Sequence, residues 1–559
     1  MPISSRQLTI LALALVAGCS SDPGNDTGGP SDNLATCSAS GSTPIALAVG
    51  EFRTIDASQQ GDCIFLPGGA TAQEYVVVGY SGFGISTSGG SEASYALQSV
   101  AGIPAPAAQF GGGSLGTAAL PGSVPSTAAQ FELNLRRVER ELAANPLIRP
   151  SLRQPPAAAP AVGDKDSFNV CATAACSSFV RVGATVKYAG NPGVIYLDDH
   201  VADGAETIEP SDIQQLGALF DDYLYPTDTT AFGRESDINN DQHIAILLTP
   251  AVNNLTTDCS NGRIIGFTFS NDLLPGAAGS NRREMFYTIT TSAPTAKCKG
   301  VSRASALAAL PPTLIHEMQH MISFNQHVLL RFGRDQDVWL NEGLSHFAEE
   351  LGWRTVPSSQ CTDCFSVFAG GDVGNAYSYL ANTDGQFLIA PEATDGTLAE
   401  RGAAWLFVRW LADHFSTDTL LGTEFTRSLE ASGTVGATRI EQVTGVDFPT
   451  LVGEWQLANW TDNLPGFPQG GLLDYRTWNF RQVFADNFQV LFPKLFPLTP
   501  DSTGGAYSHT GVLPAGSGRM VRFQLAAGSP GATVRLAASL GGATLTSTIV
   551  PWLAVVRTQ

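Results

Sequence analysis

The stretch TLIHEMQHMISFNQH carries two histidines one helical turn apart, His316 and His320, with Glu317 beside the first. On a helix, residues four apart project from one face, so both imidazoles can meet one divalent cation. Glu317 lies about 100° round the helix from His316. That is poor placement for ligating the same ion and good placement for reaching a water bound to it. The chemistry available to such a set is hydrolysis by an activated water. A tetrahedral zinc that keeps a catalytic water needs a third protein ligand. The segment WLNEGLSHFAEELG supplies Glu342, and the polar run RFGRDQDV before it lets the chain reverse so that Glu342 can return to the imidazoles. The competing reading of His316 and His320 is a pair of hydrogen-bonded core histidines.

The elements that must hold these residues are two helices. Pro311 and Pro312 suit a first turn, and neither Pro nor Gly follows them until Gly333. Leu314, Met318, Met321 and Ile322 form an apolar stripe that can face a core. The second helix is expected to begin near Asn341, with Glu342 in its first turn. His327 shares the face of His316, but seven residues beyond His320 is about 10 Å along a helix, too far to share the ion. It is expected to be a plain polar residue.

HEMQH, followed after a reversal by WLNEGLSHFAEE, resembles the gluzincin metallopeptidases, which include thermolysin and the aminopeptidase N group. The chain is similar in particular to the hyicolysin family of secreted bacterial metallopeptidases, a likeness that DINNDQHIAILLTPAV, IIGFTFSNDLLP and RGAAWLFVRWLADHF share. It covers roughly residues 168–463 and leaves out the flanking β regions. The resemblance implies a thermolysin-like zincin core, Zn2+ as cofactor and a protein or peptide substrate. It assigns His316, His320 and Glu342 as zinc ligands and Glu317 as the base. Two positions depart from the pattern. Thermolysin-type sites place an acidic residue four after the ligand Glu to orient a zinc-bound histidine. Here that position is His346, and Glu349, two turns after Glu342, is the alternative. Relatives also use a downstream Tyr or His to stabilise the oxyanion. Arg401 in RGAAW stands where some have Tyr-Gly-Ala, and Tyr377 and Tyr379 in GNAYSYLAN compete for that role.

A further cluster, DINNDQH, sets Asp237, Asn239 and Asp241 at alternate positions, like the start of a Ca2+ loop. Gln242 replaces the usual Gly and Leu248 the usual Glu, so an Asx-rich turn is the plainer reading.

The remaining chain bounds the setting. Its 559 residues allow two to four domains. A net charge of −20 argues against a nucleic-acid partner, which needs clustered Lys and Arg. The start, MPISSRQLTILALALVAGCSS, has one cation and then an apolar run too short to span a bilayer. LVAGC resembles a lipobox with Cys19 as the lipidated residue. The expectation is an exported lipoprotein of the bacterial cell envelope, held to the membrane by its lipid alone, or else a secreted protein, and a monomer in either case. The other eight cysteines read as disulfides; local pairing would give 37–63, 171–176, 259–298 and 361–364, one of the 105 connectivities that eight cysteines allow, with a tight disulfide expected in CTDC.

The expected fold class is α+β and multidomain, the catalytic core mostly helical in its C-terminal half. Expected divisions are a signal peptide (1–19), a tether (20–42), an N-terminal β-rich accessory or pro-domain (43–145), a Pro/Ala linker (146–167), the metallopeptidase domain (168–465) and a C-terminal β-sandwich (466–559). The expected activity is zinc-dependent peptide hydrolysis, with a lean toward endopeptidase action. The rival is a catalytically silent surface-binding lipoprotein with a peptidase-like core.

Overall fold

A computed structural model describes residues 44–58, 63–102, 127–144, 158–201, 207–394, 396–541, 545 and 548–559. The signal segment with Cys19, the tether, Cys37 and part of the Pro/Ala linker lie outside them. In chain order the main elements are β1 (Phe52–Asp56), β2 (Cys63–Leu66), β3 (Gln73–Ser81), β4 (Glu92–Ala101) and α1 (Thr127–Ala143). There follow β5 (Lys165–Cys171), β6 (Phe179–Ala189), β7 (Gly193–Asp198), β8 (Ile244–Leu248), β9 (Gly266–Thr268) and β10 (Met285–Thr288). The helices α2 (Arg303–Phe324), α3 (Val338–Thr355), α4 (Gly370–Leu380), α5 (Leu398–Phe415) and α6 (Phe448–Thr461) come next. Last are β11 (Asp501–Thr503), β12 (Tyr507–Pro514), β13 (Gly518–Leu525), β14 (Ala532–Ala537) and β15 (Pro551–Arg557). Shorter helices lie between these. The architecture is α+β and multidomain.

The two β-rich ends, expected as separate domains, are one sandwich. One sheet runs β1-β15-β3-β13-β11 and the other β12-β4-β14-β2, so each mixes strands from both ends of the chain. The run YVVVGY in β3 shows why. Val77 faces the sandwich interior with Leu97, Phe523 and Leu553, while Val76, Val78 and Tyr80 face the helical core. A strand buried on both faces reads as a continuous apolar run. Tyr80 ties the sandwich to α6 by donating to the Pro449 carbonyl at 2.8 Å.

The central sheet has the order β5-β6-β7-β8-β10-β9, with β7, β8 and β10 parallel and β9 antiparallel at the edge. The wholly apolar IAILL of β8 is buried throughout, as an inner strand of such a sheet requires. α2 lies beside β9. It starts well before the expected first turn: Ser302 caps it by accepting from the Ser305 amide at 3.2 Å, so Pro311 and Pro312 fall inside the helix. α3 likewise begins at Val338 rather than near Asn341, which puts Glu342 in its second turn. α5 starts on a capping box in which Thr397 Oγ1 accepts from Glu400 N and Glu400 Oε2 from Thr397 N.

Disulfides join Cys171 to Cys176 and Cys259 to Cys298. Cys361 and Cys364, expected to pair, are free. The Cys364 thiol turns to the Cys361 carbonyl at 3.0 Å instead of to its sulfur.

Candidate metal centre

α2 buries Leu314, Met318, Met321 and Ile322 completely, which fixes the opposite face toward α3. His316 and His320 stand on it with ring centroids 5.0 Å apart. Glu342 meets them from α3: its Oε2 lies 3.8 Å from His316 Nε2 and its Oε1 3.6 Å from His320 Nε2. Ligand atoms of all three lie within 4.8 Å of one another. Glu342 is 1% exposed, and its Oε1 accepts no hydrogen bond among the described residues. A buried carboxylate oxygen left without a donor, facing two imidazole nitrogens, is the environment of a metal ligand and a costly one without a cation. The donor set of two His and one Glu fits zinc.

The surroundings fix these ligands. Glu349 Oε1 lies 2.7 Å from His316 Nδ1, which directs Nε2 at the centre. His346 stands 3.0 Å from the same Glu349 oxygen and 2.8 Å from Asp372 Oδ1. Burial opposes its charge, yet Glu349 and Asp372 raise its pKa to about 10. Burial also works against the Glu349 carboxylate, but the imidazoles of His346 and His316 outweigh it and hold its pKa at about 2. Ser345 Oγ lies 3.2 Å from the His320 ring nitrogens and donates to Gln319 Oε1 at 2.6 Å. Burial, followed by the field of Arg136, keeps the His320 pKa well below its ordinary value. A neutral imidazole is what a metal needs.

Glu317 projects toward the central sheet, where its Oε2 accepts from the Thr268 amide of β9 at 2.8 Å. It is only 4% exposed. Burial, then the nearby Glu132 carboxylate, pushes its pKa well above the usual range. Arg401, on α5, sets Nη1 2.8 Å from Glu342 Oε2, beside the triad. Burial alone would raise the Glu342 pKa, but Arg401 and the imidazoles bring it below the ordinary value.

Tyr377 and Tyr379 are not brought to the centre. The Tyr377 hydroxyl accepts from Lys494 N at 2.9 Å with its ring stacked on Phe492. The Tyr379 hydroxyl accepts from Gln456 Nε2 at 3.1 Å, its ring stacked on Trp455. Packing on both sides of α4 takes both rings. His327 is no plain polar residue either: it is wholly buried, Nε2 3.2 Å from Glu430 Oε2. Asp237, Asn239 and Asp241 are engaged by their own turn. Asp237 accepts from Gln242 N, Asn239 donates to Asp241, and Asp241 accepts from His243 N. Asn240 and Gln242 adopt positive φ. This is the Asx-rich turn.

Sequence reasoning missed three contributors: Asp372 behind His346, and Glu132 and Arg136 of α1, which precede the segment expected to hold the site. The fields of Glu132 and Arg136 act on Glu317, and that of Arg136 also on Glu342. The charged run ELNLRRVERE was the available signal.

No known family pattern matches this chain. It is similar to a neutral metalloprotease, ShpI, of Staphylococcus hyicus: 28% identical over 173 residues, 31% of this chain and 36% of that protein. The match spans about a third of ShpI. It relates this chain to a metalloprotease.

Proposed function

We propose that this chain is a zinc-dependent peptidase that hydrolyses peptide bonds of extracytoplasmic proteins, in the manner of an endopeptidase. The observation that carries the reading is Glu342 meeting His316 and His320 from a separate helix. His316, His320 and Glu342 would hold the ion. Bound zinc lowers the pKa of a water to about 7 and polarises a carbonyl. Glu317 takes a proton from the attacking water and delivers it to the leaving nitrogen. Its raised proton affinity suits the second step, and the Thr268 amide holds one of its oxygens. Glu349 keeps the His316 proton on Nδ1. Arg401, held 2.8 Å from Glu342 Oε2, would supply a fixed cation to offset the negative charge that grows on the carbonyl oxygen. The resemblance of LVAGC, ending at Cys19, to a lipobox supports export and lipid anchoring.

The test joins zinc content to casein digestion. Glu317→Gln is expected to keep zinc and lose cleavage by at least a thousandfold, whereas His320→Ala loses both. Undiminished digestion by Glu317→Gln refutes the assigned base.

A further inference from the structure

A helix that the chain itself supplies, α1, packs against the sheet edge beside the candidate site. Thr268, whose amide holds Glu317, belongs to β9, the edge of the central sheet. An exposed edge beside a hydrolytic centre is where an extended peptide would add as a further strand. α1 occupies that place. Phe131 sets its ring edge-on against Phe267 of β9 at 4.8 Å, and Glu139 Oε1 accepts from the amide of Ser270, two residues beyond the strand, at 2.8 Å. Phe131 and Leu135 are fully buried.

The same helix buries charge. Glu132, Arg136 and Glu139, spaced four and three apart, form one stripe. Arg136 Nη1 lies 2.6 Å from Glu139 and Nη2 3.3 Å from Glu132, with the arginine only 2% exposed. The stripe faces the end of β9 beside the centre, since Glu139 holds the Ser270 amide two residues beyond Thr268, whose own amide holds Glu317. With α1 in place Glu317, which must touch water and the leaving nitrogen, has almost no accessible surface.

We infer that α1 is an autoinhibitory plug, filling the groove between β9 and the His316–His320–Glu342 cluster where a substrate chain must lie. The inference rests on the peptidase reading. Its charged stripe makes the plug releasable. Buried ion pairs add little net stability because the charges regain hydration on exposure, whereas an all-apolar face would hold the helix shut. The N-terminal strands do not leave with it, because β1, β3, β2 and β4 are paired with β15, β13, β14 and β12. Only α1 moves.

The experiment loosens α1 in the full zinc-loaded chain, through Phe131→Ala and, conserving volume, Glu139→Gln. Two rates are read: casein hydrolysis, and the removal of zinc by dipicolinate, which must reach the ion. Both are expected to rise at least tenfold over the unaltered chain. Zinc removal that is no faster in either correctly folded variant overturns the plug. Faster zinc removal with no casein hydrolysis in any form upholds the plug and removes the peptidase reading.

Discussion

Glu349 does its work through His316. Replacing it with Gln removes the anion that fixes the imidazole while keeping its size, so metal affinity is expected to fall 10–100-fold, measured by chelator competition. Glu284 offers a test away from the centre. It accepts from Ser236 Oγ and the Ile238 amide, yet burial raises its pKa from 4.5 to about 7. A carboxyl with a raised folded-state pKa contributes stability that is full below about pH 4.5 and lost as pH rises through 7, because the fold then buries a charge. Glu284→Gln cannot ionise. Its melting temperature relative to the unaltered chain should therefore climb from pH 5 to pH 8, by the equivalent of about 3 kcal/mol at most. A pH-independent difference would contradict this. His316, Glu317 and His320 were legible in the sequence because helical periodicity alone fixes their mutual geometry. Glu342 was legible because zinc chemistry demands a third ligand. Asp372, Glu132 and Arg136 were not, since tertiary packing alone brings them near.

α5 carries Arg401 and must lie close to both α3 and α4. A Cβ built on Gly402 would come within 2.3 Å of the Asn375 backbone, and one on Gly343 within 3.1 Å of Ala404. Gly402→Ala therefore has to drive α4 and α5 apart. Urea unfolding should show a loss of about 2–3 kcal/mol, and casein hydrolysis should fall as Arg401 shifts with its helix. The apolar runs in HIAILLTPAV and VIYLDD suit strands and the apolar stripe in QFELNLRRVERELAAN a helix, which are the elements found there. Helix starts were less legible. Pro311 and Pro312 looked like a first turn, but the Ser302 cap and the apolar residues buried from Ala306 onward extend α2 on their N-terminal side. The thiols of Cys361 and Cys364 show the same limit: sequence proximity does not direct two sulfurs at each other.

Short apolar runs broken by Gly, Ser and Pro mark strands at the N-terminal end and alternation marks them at the C-terminal end, but neither pattern says which strand each will meet. The shared sandwich predicts that a cut engineered between residues 146 and 157 leaves two pieces running as one particle in gel filtration and separating only in denaturant. Two separating bodies would contradict the topology. No helix among the described residues is long and apolar enough to cross a membrane. In the five-stranded sheet β15 lies between β1 and β3, strands made hundreds of residues earlier. During synthesis, β1 and β3 must therefore wait with unpaired inner edges, which invite association with other chains. A ribosome that stops just short of residue 551 releases a polypeptide in which β1 has no neighbour and β3, though held by β13, keeps one edge open.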